Sequence, residues 1–196
     1  MLASITPLGE RGRHSRWGIT VTAFVLGATI AGAALGALAG ELGAVAVPGS
    51  VGLGARLAAL AVVGLVAAVL DAGGDRVPGP HRQVNEDWLT AFRGWVYGLG
   101  YGAQLGLGIT TVVSSAALYV ALIVAVATGE PVRGALVVGC FGAVRGLTVL
   151  VAAGVRRPAQ LIGLHALLSR WREPSRNAGI AALGAIATAA LIGALA

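Results

Sequence analysis

A chain of 196 residues that is 57% hydrophobic and only 11% charged cannot cover a water-soluble globule with polar surface; soluble domains carry roughly 25% charged residues. Mean hydropathy is +0.84, and the net charge of +6 comes from arginine alone, lysine being absent. This composition excludes an ordinary soluble enzyme and points to an all-α, polytopic transmembrane helix bundle of about five spans with the lipid bilayer as its first partner.

Residues 1–18 form a basic N-terminus carrying Arg11, Arg13 and Arg16. Spans one and two fill 19–71, as apolar stretches from Ile19 to about Val47 and from Val51 to Leu70. The first resembles a secretory leader, with "AVA" at Ala44 to Ala46 imitating a cleavage site. Its apolar core is far longer than the roughly 7–15 residues of such a leader, so an uncleaved helix is expected.

Residues 72–95 read as a cytoplasmic loop ending in an interfacial helix. Asn85 is a plausible N-cap, Glu86 and Asp87 fall in the first turn, and Val84 and Leu89 have the spacing of a hydrophobic staple. Trp88, Phe92 and Trp95 then recur as an aromatic edge suited to headgroup depth. A metal or substrate site at His81, Glu86 and Asp87 is the competing reading, and the helix start already explains those carboxylates.

Spans three and four fill 96–155, from about Val96 to Thr128 and from Val132 to Val155. The run "GLGYGAQLGLG" weakens its helix by about 1 kcal/mol per glycine relative to alanine, so residues 96–108 are open to helical, broken or re-entrant backbone. Residues 156–177 read as a cytoplasmic amphipathic segment: Pro158 suits a first helical position, and Leu161, Leu164, Leu168 and Trp171 make an apolar stripe beside Arg170 and Arg172. Residues 178–196 form span five. Trp88, Phe92, Trp95 and Trp171 are the expected interfacial anchors.

Arginine asymmetry gives the orientation. Arg11, Arg13, Arg16, Arg76, Arg82, Arg93, Arg156, Arg157, Arg170, Arg172 and Arg176 fall on one side, and only Arg56 and Arg133 on the other. The N-terminus is therefore expected in the cytoplasm and the C-terminus outside, in a bacterial cytoplasmic (inner) membrane. The basic charge is then topological, and no nucleic acid is expected.

Small residues spaced by four mark close helix contacts in lipid. Gly32, Gly36 and Gly40 do so in span one, Gly98, Gly102 and Gly106 in span three, and Gly142 and Gly146 in span four. These faces pack within one subunit or against another membrane subunit or a second copy.

Arg145 sits in the middle of an apolar run, with no carboxylate between Glu130 and Glu173. A guanidinium at that depth costs about 2.5–3.5 kcal/mol on insertion scales and must find partners. Gln104, Thr111 and Ser115 share a face of span three, and Arg145 is expected to point toward them as a substrate-binding group. Three roles fit: binding an anion, bonding carbonyls and hydroxyls as a structural device, or pairing with a carboxylate of another subunit. Glu41 and Asp71 lie at span ends.

His14, His81 and His165 are too scattered for a metal site, and no cofactor motif occurs. The one cysteine, Cys140, allows no intramolecular disulfide and is expected to be a buried structural thiol. Catalytic residues are not expected, so the chain reads as no enzyme.

From Trp95 onward, "YGLGYGAQLGLGITT", "ATGEPVRGALVVG" and "RRPAQLIGLHALLSRWREPSRNAG" followed by a last apolar helix resemble the transmembrane family of cytochrome c biogenesis and DsbD-type thiol–disulfide electron carriers. The resemblance covers about half the chain. That family places a Pro-Cys pair where this chain has Thr110 and Thr111, so its dithiol relay does not carry over. What the resemblance implies is a small carrier-like bundle around a broken helix. Together these readings favour a small transporter, or the membrane subunit of one, for an anionic or polar solute. The alternative is a non-catalytic membrane subunit that anchors or assembles a larger complex.

Overall fold

The structure is a computed structural model that describes residues 5–74, 87–108 and 115–196. The expected cap at Asn85, its neighbours His81, Val84 and Glu86, and the polar residues Thr110, Thr111 and Ser114 lie outside the described residues. Among those described, regular structure is helical throughout: α1 Pro7–Gly12, α2 Trp17–Ala46, α3 Leu53–Ala72, α4 Trp88–Ala91, α5 Gly94–Leu107, α6 Ala117–Thr128, α7 Pro131–Leu147 and α8 Pro158–Leu195. Four helical stretches are long and apolar enough to cross a membrane: α2, α3, α8, and α7 with its continuation to Gly154. The shorter apolar α6 accompanies them. Large apolar side chains face outward along them, with Leu38, Val45 and Leu195 each more than two thirds exposed. In a membrane helix that surface is the lipid face.

One element left open is settled, and two differ from expectation. Within span three α5 ends on Gly108, whose φ of 69° is left-handed, and α6 begins at Ala117. Glycine adopts that conformation without a Cβ clash, the usual way to end a helix. The segment 156–177 is not separate from span five, because α8 runs unbroken through both. Pro174 lies inside it and leaves one rung of its ladder unmade. At about 1.5 Å per residue its 38 residues are roughly 57 Å long, nearly twice the ~30 Å hydrocarbon core. The aromatic edge is divided as well. Phe92 is extended (φ −120°, ψ 159°) and closes the four-residue α4, so Trp88 and Trp95 sit on different helices. Trp88 stacks on Tyr101 at 6.0 Å and meets Phe92 edge-on at 5.6 Å. Phe92, Trp95 and Trp171 are each about half exposed.

After α7 the chain tightens into a 3₁₀ stretch, Thr148–Gly154. Thr148 Oγ1 donates to the Arg145 carbonyl at 2.6 Å, a local bond that competes with the α-helical ladder. Cys140 is exposed on α7, not buried. The residues on either side of it carry the helix's inward face: Gly139 and Gly142 are buried.

The chain forms two compact units: Met1–Gly32, Pro80–Thr111 and Gly139–Trp171 in one, Ala33–Gly79, Val112–Val138 and Arg172–Ala196 in the other. In the first, Gly98, Gly102 and Gly106 of α5 lie against Thr20, Phe24 and Ala28 of α2, so close that a Cβ at each would fall on a carbonyl oxygen of α2. The matching order shows the two segments running parallel. Gly32 joins this face, its nitrogen 2.9 Å from where a Gly106 Cβ would sit. Gly142 and Gly146 of α7 meet Ala28 and Val25 in the reverse order, hence antiparallel. Ile5, Val21, Phe24, Tyr97, Tyr101 and Val149 form this unit's main core, and Ala152, Val155 and Leu164 form a second cluster.

In the second unit Gly36 and Gly40 of α2 lie against Gly134 and Glu130, again antiparallel. Ala67, Ala68, Ala116, Val120 and Leu183 make its core. Gly64 of α3 packs against Ala187 of α8.

Gly102→Ala should therefore cost about 1–3 kcal/mol through overpacking. Gly184→Ala, with nothing within 4 Å of its would-be Cβ, should be neutral or gain up to about 1 kcal/mol from helix propensity. Thermal unfolding of the detergent-purified variants measures both. Equal stability of Gly102→Ala and the parent chain would refute the close contact.

Candidate functional site

Among the described residues, three charged side chains meet the ends of other helices. Arg145, in the last turn of α7, donates from Nη1 to the Leu105 carbonyl at 3.2 Å. Its guanidinium also lies 5.7 Å from the centre of the Phe141 ring. Leu105 is in the final turn of α5, where carbonyls lose their helical partners and the dipole is negative. Arg145 thus meets the C-terminus of α5. Gln104, half-buried in the same turn, is the neighbour of its acceptor. Thr111 lies outside the described residues.

Ser115 has another partner. Its Oγ donates to Asp71 Oδ2 at 2.7 Å, and the Ala116 amide donates to Asp71 Oδ1 at 2.7 Å. The Ala117 amide in turn reaches Ser115 Oγ at 3.2 Å. Asp71, 5% exposed near the end of α3, therefore caps the N-terminus of α6 from a different helix. A carboxylate at the positive end of a helix is favourable in both hydrogen bonding and charge. Asp71 belongs to a span end, as the sequence indicates, but burial and this partner were not legible there.

At the other end of α6, Arg56 of α3 donates from Nη1 to the Ala127 carbonyl at 3.2 Å. Its Nε donates to the Val51 carbonyl at 3.2 Å. One helix, α3, holds both ends of α6 with the sign of charge each end prefers.

A fourth polar cluster lies at the N-terminal end. Glu10 is fully buried. Arg13 Nη2 donates to its Oε1 at 2.6 Å, and Tyr97 Oη donates to the same oxygen. Thr20 Oγ1 donates to Oε2 at 2.7 Å, and Arg13 Nε reaches Tyr97 Oη at 3.3 Å. Burial alone would lower the Arg13 pKa, but the bonds to Glu10 and Tyr97 hold it above the usual arginine range. This cluster ties α1 to the first turns of α2 and α5, and the Leu8 amide adds a bond to the Val155 carbonyl at 3.0 Å. Glu10 escapes sequence reasoning because it lies outside the apolar spans. Its only local signal is Arg13 three residues on.

Among the described residues no three His, Cys, Asp or Glu side chains come together to hold a metal ion.

Fold and polar placement together define an all-α membrane-helix bundle in which Arg145, Asp71 and Arg56 secure helix termini. The chain belongs to the MauF family of methylamine utilization proteins. It is 31% identical to MauF of Methylophilus methylotrophus over 201 residues, covering 97% of this chain and 68% of that protein. It is 35% identical to MauF of Paracoccus denitrificans over 194 residues, covering 95% and 67%. With MauF of Paracoccus versutus it shares 37% over 130 residues, covering 65% and 46%. The chain thus spans about two thirds of the length of the first two of these relatives and about half of the third. No family model matches, and no solved structure matches.

These relatives correct two expectations. The likeness to cytochrome c biogenesis and DsbD-type carriers gives way to membership of the MauF family. The transporter reading falls with it, since the relatives are named for methylamine utilization and not for solute transport.

The Asp71 cap is open to a direct test. Asp71→Ala leaves the Ser115 hydroxyl and the Ala116 amide without their acceptor and should cost about 3 kcal/mol, whereas Asp71→Asn keeps one acceptor oxygen and should lose about 1 kcal/mol. Thermal unfolding in detergent reads the order. An Asp71→Ala protein as stable as the parent chain would show that α6 needs no cap from α3.

Proposed function

We propose that the chain is a non-catalytic integral membrane component of a methylamine utilization system, one that anchors or assembles a larger complex in the bacterial cytoplasmic membrane. The observation that carries this reading is the likeness to MauF proteins along 97% of the chain. The polar side chains support it. Arg145, Asp71, Arg56 and Glu10 are each bonded to backbone or neighbouring side chains in ways that hold helix ends. A component that serves by holding its shape and its partners needs this and no acid–base pair of its own.

The test is genetic and biochemical together. In the source bacterium grown on methylamine, deletion should abolish or strongly slow growth on methylamine and spare growth on other carbon sources. The tagged protein should co-purify with further methylamine utilization proteins. Normal growth of the deletion strain on methylamine, with a tagged chain that purifies alone, would refute the proposal.

The same reading has the N-terminus in the cytoplasm and the C-terminus outside. The arginine asymmetry supports the sidedness, and the helix directions fit the order of passes, for α5 runs parallel to α2, and α7 antiparallel to it. On a Cys140→Ala background, single cysteines at Arg11, Glu130 and Ala196 report sidedness. Arg11→Cys should label only from the cytoplasm and the other two only from outside. Labelling of Glu130→Cys from the cytoplasmic face alone would overturn the orientation.

A further inference from the structure

The N-terminal turns of α2 and α5 enclose a groove of about 540 Å³. Arg13, His14, Arg16 and Arg93 line it, and among the described residues no carboxylate does. Arg13 is committed to Glu10 and Tyr97. Arg16 and Arg93 are exposed, and among the described residues neither forms an ion pair with a carboxylate. Phe92 and Trp95, each about half exposed, stand at the rim. His14 turns the chain into the groove with φ 55°, a left-handed conformation uncommon outside glycine. Ile19 lines this groove and also a second one, of about 330 Å³, that continues along α2 past Ala23 to Leu26 and is almost wholly apolar.

A cationic groove rimmed by amphipathic aromatic rings, adjoining an apolar groove on the outer face of the same helix, has the polarity of one particular ligand. We infer that the two grooves together seat an anionic phospholipid. Its phosphate lies between Arg16 and Arg93, and an acyl chain lies along Ile19, Ala23 and Leu26. Two guanidinium groups suit a phosphate because each offers paired donors matched to its oxygens. Arginine clusters at the cytoplasmic surface attract anionic lipid headgroups in general. The apolar continuation is what separates a lipid from a free phosphate, which has nothing to place there. The inference is independent of the role in methylamine utilization, since lipid binding is read on the isolated chain.

The experiment uses the purified full chain in a neutral detergent, titrated separately with dioleoyl phosphatidylglycerol, dioleoyl phosphatidylcholine and inorganic phosphate. Native mass spectrometry counts bound lipid, and the thermal midpoint reports stabilisation. Phosphatidylglycerol should bind and raise the midpoint, and phosphatidylcholine and inorganic phosphate should do neither. The Arg16→Gln/Arg93→Gln protein should bind phosphatidylglycerol about tenfold more weakly or worse. An Arg170→Gln/Arg172→Gln protein, altered on exposed α8 residues that are not among those lining the groove, should bind it as the parent does. Equal binding of the two lipids, unchanged binding after Arg16→Gln/Arg93→Gln, or equal weakening in both double variants would overturn the inference. Stabilisation by inorganic phosphate matching that by phosphatidylglycerol would assign the groove to a free anion and overturn the lipid seat.

Discussion

A helix that ends in apolar surroundings leaves backbone groups that have lost their intrahelical partners. Water is not there to take them, and each unsatisfied group costs several kcal/mol in hydrocarbon. Much of the polar chemistry of this chain answers that one constraint. The C-terminal turn of α5 receives the Arg145 guanidinium. The N-terminal turn of α6 receives the Asp71 carboxylate, and the C-terminal turn of α6 receives Arg56. In each case the charge has the sign that the helix dipole favours. These charged side chains, costly in an apolar environment on their own account, are retained where the backbone would otherwise be worse off.

Close approach of helices is the second half of the same problem. Hydrophobic burial gives little drive for association between helices when the solvent is itself apolar, so contact area and short backbone distances carry the association. Gly98, Gly102 and Gly106 let α5 approach until its glycines touch the carbonyl oxygens of Thr20, Phe24 and Ala28. At such distances Cα–H groups face carbonyl oxygens, a weak but repeated attraction. The α5 helix thus gives up stiffness at its glycines, which helps it to stop at Gly108, and gains the contact that holds it beside α2.

The helical class, the apolar stretches and the glycine spacing were legible because each follows from a local pattern in the chain. The interruption after Gly108 was half legible: the glycine run showed weakness without showing where the helix stops. What the sequence hid was pairing across distance. Asp71 and Ser115 are 44 residues apart, and Glu10 and Tyr97 are 87 apart; nothing local ties one to the other. Gln104 and Ser115 shared an apparent polar stripe, faced by Arg145, only while span three was read as one continuous helix. Once α5 and α6 are separate, the face that aligned Gln104 with Ser115 no longer exists. Cys140 was assigned inward on the strength of its apolar neighbours, but in a membrane helix apolar neighbours line the outward face as well, so hydropathy alone cannot tell the two apart. The division of α8 at residue 177 failed for a related reason. Arginines and Pro174 resemble a boundary, yet a proline costs a helix one hydrogen bond and need not end it.

The resemblance to thiol–disulfide carriers failed on similar grounds. It rested on a glycine-rich run, an apolar helix and an arginine-rich cytoplasmic stretch. Each is a solution that lipid imposes on unrelated chains: glycine for close approach, apolar length for thickness, arginine for sidedness. Features demanded by the solvent carry little information about descent. Side chains that the solvent disfavours carry more. Glu10, fully buried and accepting three side-chain hydrogen bonds, and Asp71, inserted into the start of another helix, are expensive choices, each tied to particular partners far away in the chain. A family is better recognised by such residues than by its glycines. In a chain of this composition, the few carboxylates deserve to be read before the many apolar positions.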